Sequence, residues 1–372
     1  MSRLVKGTRT VTAAVGARLV ESSWVQRLGR ISFLGTLDYH PGSTSASTRL
    51  EHSMGVALLG ATIADSLELD RQTTRSFVAA CLLHDIGHFP LSHAAEPGFA
   101  RALGVAHHGV SEWIILGNGP IPRALSLRPL LEAEGLDPAL LWALITGDAD
   151  NLSPLQRSLS RLLLAPINLD TLDGIVRAAR AFGIRGIRLR EQLFVRAGAS
   201  VAIRPEAVPI LDRFWALKDR VYCDVINLPS NIVCEARLSS AVARRYDRGI
   251  FGGFERFDDQ VLESLLEEHL RESGLLEGRD DPFQFRRDSD ERADATLHLR
   301  RARKRYFVDR TVLPDDHGLP LERWPRRYRH ERQIMYLVPR RASRQLVLPG
   351  LALDRDDAPS IPGYSAVDGP DI

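Results

Sequence analysis

The chain has 372 residues, 44% of them hydrophobic and 26% charged, with a formal net charge of +2. That length supports one large core or two smaller ones, and so small a net charge excludes any reading of partners from global electrostatics. With no run of about 18 apolar residues, no secretory leader pattern and three cysteines (Cys81, Cys223, Cys234) in no disulfide or CxxC arrangement, the chain is expected off the membrane, in a reducing cytoplasm.

Residues 5–20 are rich in Val, Thr and Gly and read as a short hairpin or an extended arm. From Ser22 to Leu34 apolar residues recur at near-helical spacing, and Tyr39 to Ser45 is a loop by its turn residues. One helix is expected from Thr48 to Leu69 and another from Gln72 to Ile86, capped by Gly87. Helical patterns recur at 111–116, 121–134, 137–146, 154–164, 168–182 and 206–245, with Pro154 and Pro166 where helices should start. Residues 1–240 thus read as one mainly α domain. A helix at 258–274, a charged loop at 278–293 and strands near 295–299, 305–308 and 334–338 make residues 241–348 a small α+β appendage. Residues 349–372, rich in Pro, Gly, Asp and Ser, read as a disordered tail.

Six of the 11 histidines (His52, His84, His88, His93, His107, His108) fall within residues 52–108. Neutral imidazole suits borderline divalent metals, and carboxylates add hard oxygen and charge. The most specific stretch is Cys81-Leu-Leu-His84-Asp85-Ile-Gly-His88-Phe-Pro-Leu-Ser-His93. An adjacent His and Asp reach one centre only if it lies over the end of their helix.

The order His52, His84-Asp85, Asp170 resembles the signature of HD-domain metal-dependent phosphohydrolases. The deoxynucleoside triphosphate triphosphohydrolase branch (SAM-and-HD-domain-like) is more similar still. It shares Trp24-Val-Gln-Arg27-Leu-Gly-Arg-Ile31, Arg49-Leu-Glu-His52-Ser-Met-Gly55-Val, His107-His-Gly-Val-Ser111, Asn168-Leu-Asp170-Thr-Leu-Asp173-Gly-Ile-Val-Arg177 and Arg220-Val-Tyr222. The resemblance covers about residues 5–240 and implies an HD-domain helical bundle. It implies His52, His84, Asp85 and Asp170 as ligands of one divalent ion (Mn, Fe, Co, Ni, Zn or Mg), with His88, His93 and His107 as spare ligands for a second. His88, His93 and His107 match pocket histidines, Glu96 an acidic partner of His93, and Arg49 an arginine on a substrate phosphate; an ion pair with a nearby acid is the other reading of Arg49. Asp173 reads as a capping or salt-bridge residue, His108 as structural or exposed, and His40, His269, His298, His317 and His330 as surface residues.

The implied chemistry is hydrolysis of a phosphate ester or anhydride of a nucleotide-type substrate by metal-activated water. His93, oriented by Glu96, would donate a proton to the leaving oxygen or position the water. Positions that read a deoxynucleoside triphosphate in that branch differ here: Phe33 stands for a glutamine, Thr171 for a lysine, Gly174 for a tyrosine and Ala178 for an aspartate. A smaller or different phosphate substrate fits that loss. The competing readings are an HD nuclease or phosphodiesterase on single-stranded nucleic acid, a non-catalytic nucleotide or metal sensor, and a di-iron oxygenase. Residues 300–344 hold 14 Lys or Arg against 5 Asp or Glu, a net +9, interleaved with aromatics. That stretch is the one support for the nuclease, and a solvated basic face balanced by the acidic residues at 254–292 and by the tail is the favoured reading of it. The oligomeric state, a homo-oligomer included, stays open.

Overall fold

The computed structural model describes residues 3–165, 168–187, 193–198, 200–273 and 275–278, with backbone strands at 296–308, 319–320 and 326–339. Helices dominate: α1 (Arg3–Val15), α2 (Ala17–Val20), α3 (Ser23–Arg27), α4 (Arg49–Ser66), α5 (Arg71–Leu83), α6 (Glu96–Leu103), α7 (His107–Leu116), α8 (Arg128–Ala133), α9 (Pro138–Thr146), α10 (Pro154–Leu164), α11 (Leu169–Ala181), α12 (Val208–Val221), α13 (Pro229–Arg245) and α14 (Glu263–Glu272). The fold is mainly α, as the sequence pattern implies. Among the described residues no helix is long and apolar enough to cross a membrane.

Helices α4 and α5 pack on each other, with α1 and α11 against α4 and α9 against α5. Small residues permit this: a Cβ on Gly60 would lie 2.8 Å from the Cys81 sulfur. The helix starts are written in the sequence. Thr48 and Glu51 form a reciprocal capping box for α4, Ser153 and Gln156 another for α10, and Asp70 and Asn168 cap α5 and α11. Pro154 begins α10 as expected; Pro166 lies outside the described residues.

Three expectations change. The N-terminal stretch is helical, because Val11, Val15 and Leu19, all fully buried, recur every four residues and face the core. Burial of that stripe outweighs the β preference of Val and Thr. Helix α5 ends at Leu83, before the expected Gly87 cap, so the His-Asp pair sits in the turn after the helix. Gly87 is required for closeness instead: a Cβ there would strike the His107 carbonyl and the Ser111 backbone nitrogen. The division drawn at residue 240 falls inside α13. Beyond it Phe251, Phe254 and Phe257 are buried, with Phe254 5.7 Å from Phe89 and Phe257 5.6 Å from Phe99 by ring centroids. Residues 248–278 therefore share the helical core.

The strands are β1 (Phe194–Ala197), β2 (Ser200–Ile203), β3 (Thr296–Val308), β4 (Leu319–Pro320) and β5 (Arg326–Pro339). β1 and β2 form an antiparallel hairpin that β4 extends beside β2, a feature with no counterpart in the sequence reading. β3 and β5 pair antiparallel, with an irregularity after Arg305, so two of the expected strands are one long one. The side chains of His298 and of the basic stretch at 300–344, His317 and His330 among them, lie outside the described residues, as do most of the expected 278–293 loop and the 349–372 tail.

The Gly87 contact generates a stability test. Gly87→Ala should lower the free energy of unfolding in urea by about 1–3 kcal/mol, the usual cost of overpacking. Gly252→Ala, where a Cβ meets open space, should stay within about 0.5 kcal/mol. Equal stability of the two variants would contradict the close packing of the His-Asp turn on α7.

Candidate metal centre and histidine cluster

Three chain segments converge. The capping box at Thr48 starts α4 and sets Arg49 and His52 one turn apart. Helix α5 delivers His84 and Asp85 at its C-terminal end, and Asn168 starts α11 so that Asp170 falls in its first turn, where the helix N-terminus favours a carboxylate.

Each imidazole is fixed through one nitrogen. His52 donates Nδ1–H to Asp173 at 2.8 Å, and His84 donates Nδ1–H to the Cys81 carbonyl at 2.8 Å. A carbonyl only accepts, so in the neutral ring, the form that binds a cation, His84 Nε2 carries the lone pair; ionised Asp173 imposes the same tautomer on neutral His52. Asp173 is in turn held by Arg177 at 3.0 Å. Against the upward push of burial, His52 and Arg177 keep its carboxyl below the usual range. Gly55 makes room for this, because a Cβ there would collide with the Asp173 carboxylate.

The free donor atoms then face one another. His52 Nε2 lies 3.0 Å from Asp170 Oδ1 and 3.6 Å from Asp85 Oδ2, and His84 Nε2 lies 3.4 Å from Asp85 Oδ2 and 3.9 Å from Asp170 Oδ1. Donors sharing one ion at bonds of about 2.1 Å stand roughly 3.0–3.4 Å apart, so the set fits a divalent cation with little adjustment. His52 Nε2, His84 Nε2 and Asp170 Oδ1 are buried with no hydrogen-bond partner, an expensive arrangement for a protein that binds nothing there. The electrostatics agree. Burial opposes charge on His84, yet Asp85 and Asp170 lift its pKa to about 10. Despite burial, His84, His88 and Arg49 hold Asp85, and His52 and His84 hold Asp170, far below the usual carboxylate range. The pocket is built for positive charge.

A second group stands beside it. Glu96, at the start of α6, accepts from His93 Nδ1 at 2.9 Å with one oxygen; with the other it accepts from His107 Nδ1 and from the His107 backbone N–H. His88 stacks on His107 at 4.1 Å between centroids, its Nε2 3.3 Å from Asp85. Burial and Arg49 push His88 well down, burial lowers His93, and His107 is raised because Glu96 outweighs its burial. Glu96 itself, against burial, stays well below its usual value beside the two imidazoles. The histidines are carried by a constrained loop: Leu91 (φ 57°) and Ser92 (φ 53°) are consecutive left-handed non-glycine residues, each costing about 1–3 kcal/mol.

A narrow cleft is lined by His84, Asp85, Asp170, His93, His107 and His108, with Ile145, Leu163 and Leu164 as its apolar side. It leaves about 20 Å³, room for a water or two.

All nine expected site residues fall in this region. Arg49 differs from its expected role on a substrate phosphate. It is 1% exposed, with Nη1 2.7 Å from Asp85 and Nε 2.7 Å from the Ser92 hydroxyl, so it meets the ion-pair reading. His108 is half-buried and lines the cleft, pushed down to about 4 chiefly by burial. His269, assigned to the surface, is buried. Of the four family positions that differ, Phe33 stacks on His52 at 4.7 Å between centroids, and Thr171, Gly174 and Ala178 are buried on α11. The sequence reading missed Asp173 as the partner of His52, although its spacing from Asp170 held the signal. It also missed the apolar cleft residues, which carry no motif.

Comparisons with known proteins follow this geometry. Residues 49–154 match the family model of the HD domain. An uncharacterized protein of Mycoplasma genitalium is 26% identical over 69% of this chain and 63% of its own length. A deoxyguanosinetriphosphate triphosphohydrolase-like protein of Bifidobacterium longum is 37% identical over 26% of this chain and 19% of its own. The chain spans less than two thirds of the length of these curated relatives. A hypothetical protein of Aquifex aeolicus shares the fold, with a TM-score of 0.63 at 17% identity over 87% of this chain and 91% of that one. A phosphohydrolase of Bacteroides thetaiotaomicron does so with a TM-score of 0.52 at 20% identity over 68% and 64%. Helix α4 and the His-Asp turn thus lie within the stretch that matches the HD domain, residues 49–154, and α11 brings Asp170 to them from beyond it.

Proposed function

We propose that the chain is a metal-dependent phosphohydrolase that cleaves a phosphate ester of a nucleotide-type substrate. The observation that carries the reading is the convergence of His52 Nε2, His84 Nε2, Asp85 and Asp170 on one point beside the Glu96-bound histidine pair. These four residues would hold one divalent ion. A divalent ion in that place acidifies water near neutral pH and neutralises phosphate charge.

The remaining work falls to the chain itself. Glu96 fixes the Nδ1–H of His93 and of His107, which leaves both Nε2 atoms for the cleft. One carboxylate balances one imidazolium, so the balanced state of the trio is one charged and one neutral ring. The downward shift of His93 and the upward shift of His107 favour His107 as the proton donor to the leaving oxygen and His93 as the group that orients or deprotonates water. Both Glu96 oxygens are engaged, which favours proton handling over a second ion at His88, His93 and His107.

Substrate charge limits the class. Among the described residues no Lys or Arg lines the cleft, and Arg49 is committed to Asp85 and Ser92. A triphosphate tail would lack a side-chain clamp, whereas one phosphate suits a single ion and two imidazoles. The names of the triphosphohydrolase-like relatives are the argument for the alternative substrate.

A panel of nucleoside monophosphates, deoxynucleoside triphosphates, p-nitrophenyl phosphate and single-stranded oligonucleotides, each assayed with Mn, Co, Ni, Zn and Mg, tests the reading. Release of inorganic phosphate from monoesters should exceed triphosphate release from dNTPs. Efficient triphosphate release would overturn the one-phosphate reading, and cleavage of oligonucleotides alone would replace it by the nuclease. The proton roles separate by leaving group. His107→Ala should slow alkyl phosphate esters by about a hundredfold or more, with much less loss on nitrophenyl esters. His93→Ala should slow both alike, and both variants should keep their metal. Loss of metal from either would return that histidine to a two-ion site.

A further inference from the structure

The segment after α13 hydrogen-bonds the site's histidine loop directly through the Asp259 side chain. Asp259 accepts the Leu91 backbone N–H with Oδ1 at 2.7 Å and the Ser32 backbone N–H with Oδ2 at 2.8 Å. Leu91 and Ser92 are the two left-handed residues between His88 and His93. The Ser92 hydroxyl bonds the Ser32 carbonyl and receives Arg49 Nε, whose Nη1 holds Asp85. One carboxylate from the far end of the helical body therefore ties together the loop that carries His93 and the strand-like residue that steadies Ser92 and Arg49. The neighbouring contacts secure the segment itself: Arg27, fully buried, donates to the Phe257 carbonyl at 2.8 Å and to the His88 carbonyl at 2.7 Å, and Arg30 pairs with Asp258.

We infer that Asp259 is a positioning residue for the hydrolytic site: by gripping the Leu91 and Ser32 amides it holds the left-handed turn that aims His93 and fixes Arg49 behind Asp85. Both acceptor oxygens are needed, since each serves a different chain segment. A left-handed turn at two non-glycine residues has cheaper conformations available once its amide is released, so without the grip the loop relaxes and His93 moves. The effect falls on turnover, because His93 acts on the reacting groups, while Asp173 and the Cys81 carbonyl fix His52 and His84 and the Asn168 cap sets the first turn of α11 that carries Asp170.

The inference rests on the functional reading above, so its test uses two readouts on the full chain. Hydrogen exchange of the 88–95 peptide reports the grip without any activity, and kcat and KM for p-nitrophenyl phosphate with bound metal counted report its consequence. Asp259→Ala should speed exchange in 88–95 and lower kcat by about ten- to a hundredfold, with KM and metal content unchanged. Asp259→Asn, which keeps one carbonyl oxygen, should fall between. Arg30→Ala, which loosens the same segment at a half-exposed salt bridge, should leave exchange and kcat at wild-type values. Unchanged exchange in Asp259→Ala, or an equal loss in Arg30→Ala, overturns the positioning role. Faster exchange with unchanged kcat overturns it too. If the wild-type protein hydrolyses no phosphomonoester, the functional reading falls, and the exchange result alone decides whether Asp259 holds the loop.

Discussion

Four histidines of this site each surrender one nitrogen to a fixed acceptor. Asp173 takes Nδ1–H from His52, the Cys81 carbonyl takes it from His84, and Glu96 takes it from both His93 and His107. A neutral histidine ring can carry its proton on either of two distinct nitrogens until a partner selects one. Bonding Nδ1 fixes the tautomer and the ring plane together, and Nε2 becomes a directed lone pair or proton. The aim of His84, His93 and His107 into the cleft, and of His52 at Asp170 behind it, follows from that constraint.

The fold exists to set those acceptors. Gly55 clears the space that the Asp173 carboxylate occupies, and Gly87 lets the His-Asp turn lie on α7 without a side chain between them. The capping residues Thr48 and Asn168 place His52 and Asp170 in the first turns of their helices. Buried Arg49 bridges Asp85 and Ser92, linking the metal donors to the histidine loop. Buried Arg27, lowered to about 9 mainly by burial, lies 4.3 Å over the Phe254 ring while it holds the His88 carbonyl. The two buried arginines beside the site are thus structural.

Local signals were legible in the sequence. The His84-Asp85 stretch and most helices could be read because each depends on neighbours within a turn or two, whereas His52 and Asp170, distant in the chain, were legible only through the family resemblance. Glu96 as partner of His93 was legible for the same reason; that it also binds His107, 11 residues on, was not. The N-terminal helix was misread because Val and Thr favour strands locally, while its fate is decided by burial against distant helices. The fate of residues 248–278 was hidden likewise, since Phe254 and Phe257 find Phe89 and Phe99 only in the folded chain. Arg49 shows the limit of resemblance: its position matches, but the acid it pairs with lies 36 residues away, and only the structure reveals that the guanidinium is already engaged.

The central claim is that His52, His84, Asp85 and Asp170 form one cation site. Elemental analysis of the purified wild-type protein and of Asp170→Ala, each equilibrated with Mn and desalted, tests it most directly, with circular dichroism to verify the fold. The account predicts about one tightly held ion per wild-type chain and almost none in Asp170→Ala, with the helical spectrum unchanged. Equal metal content in the two folded proteins would contradict it.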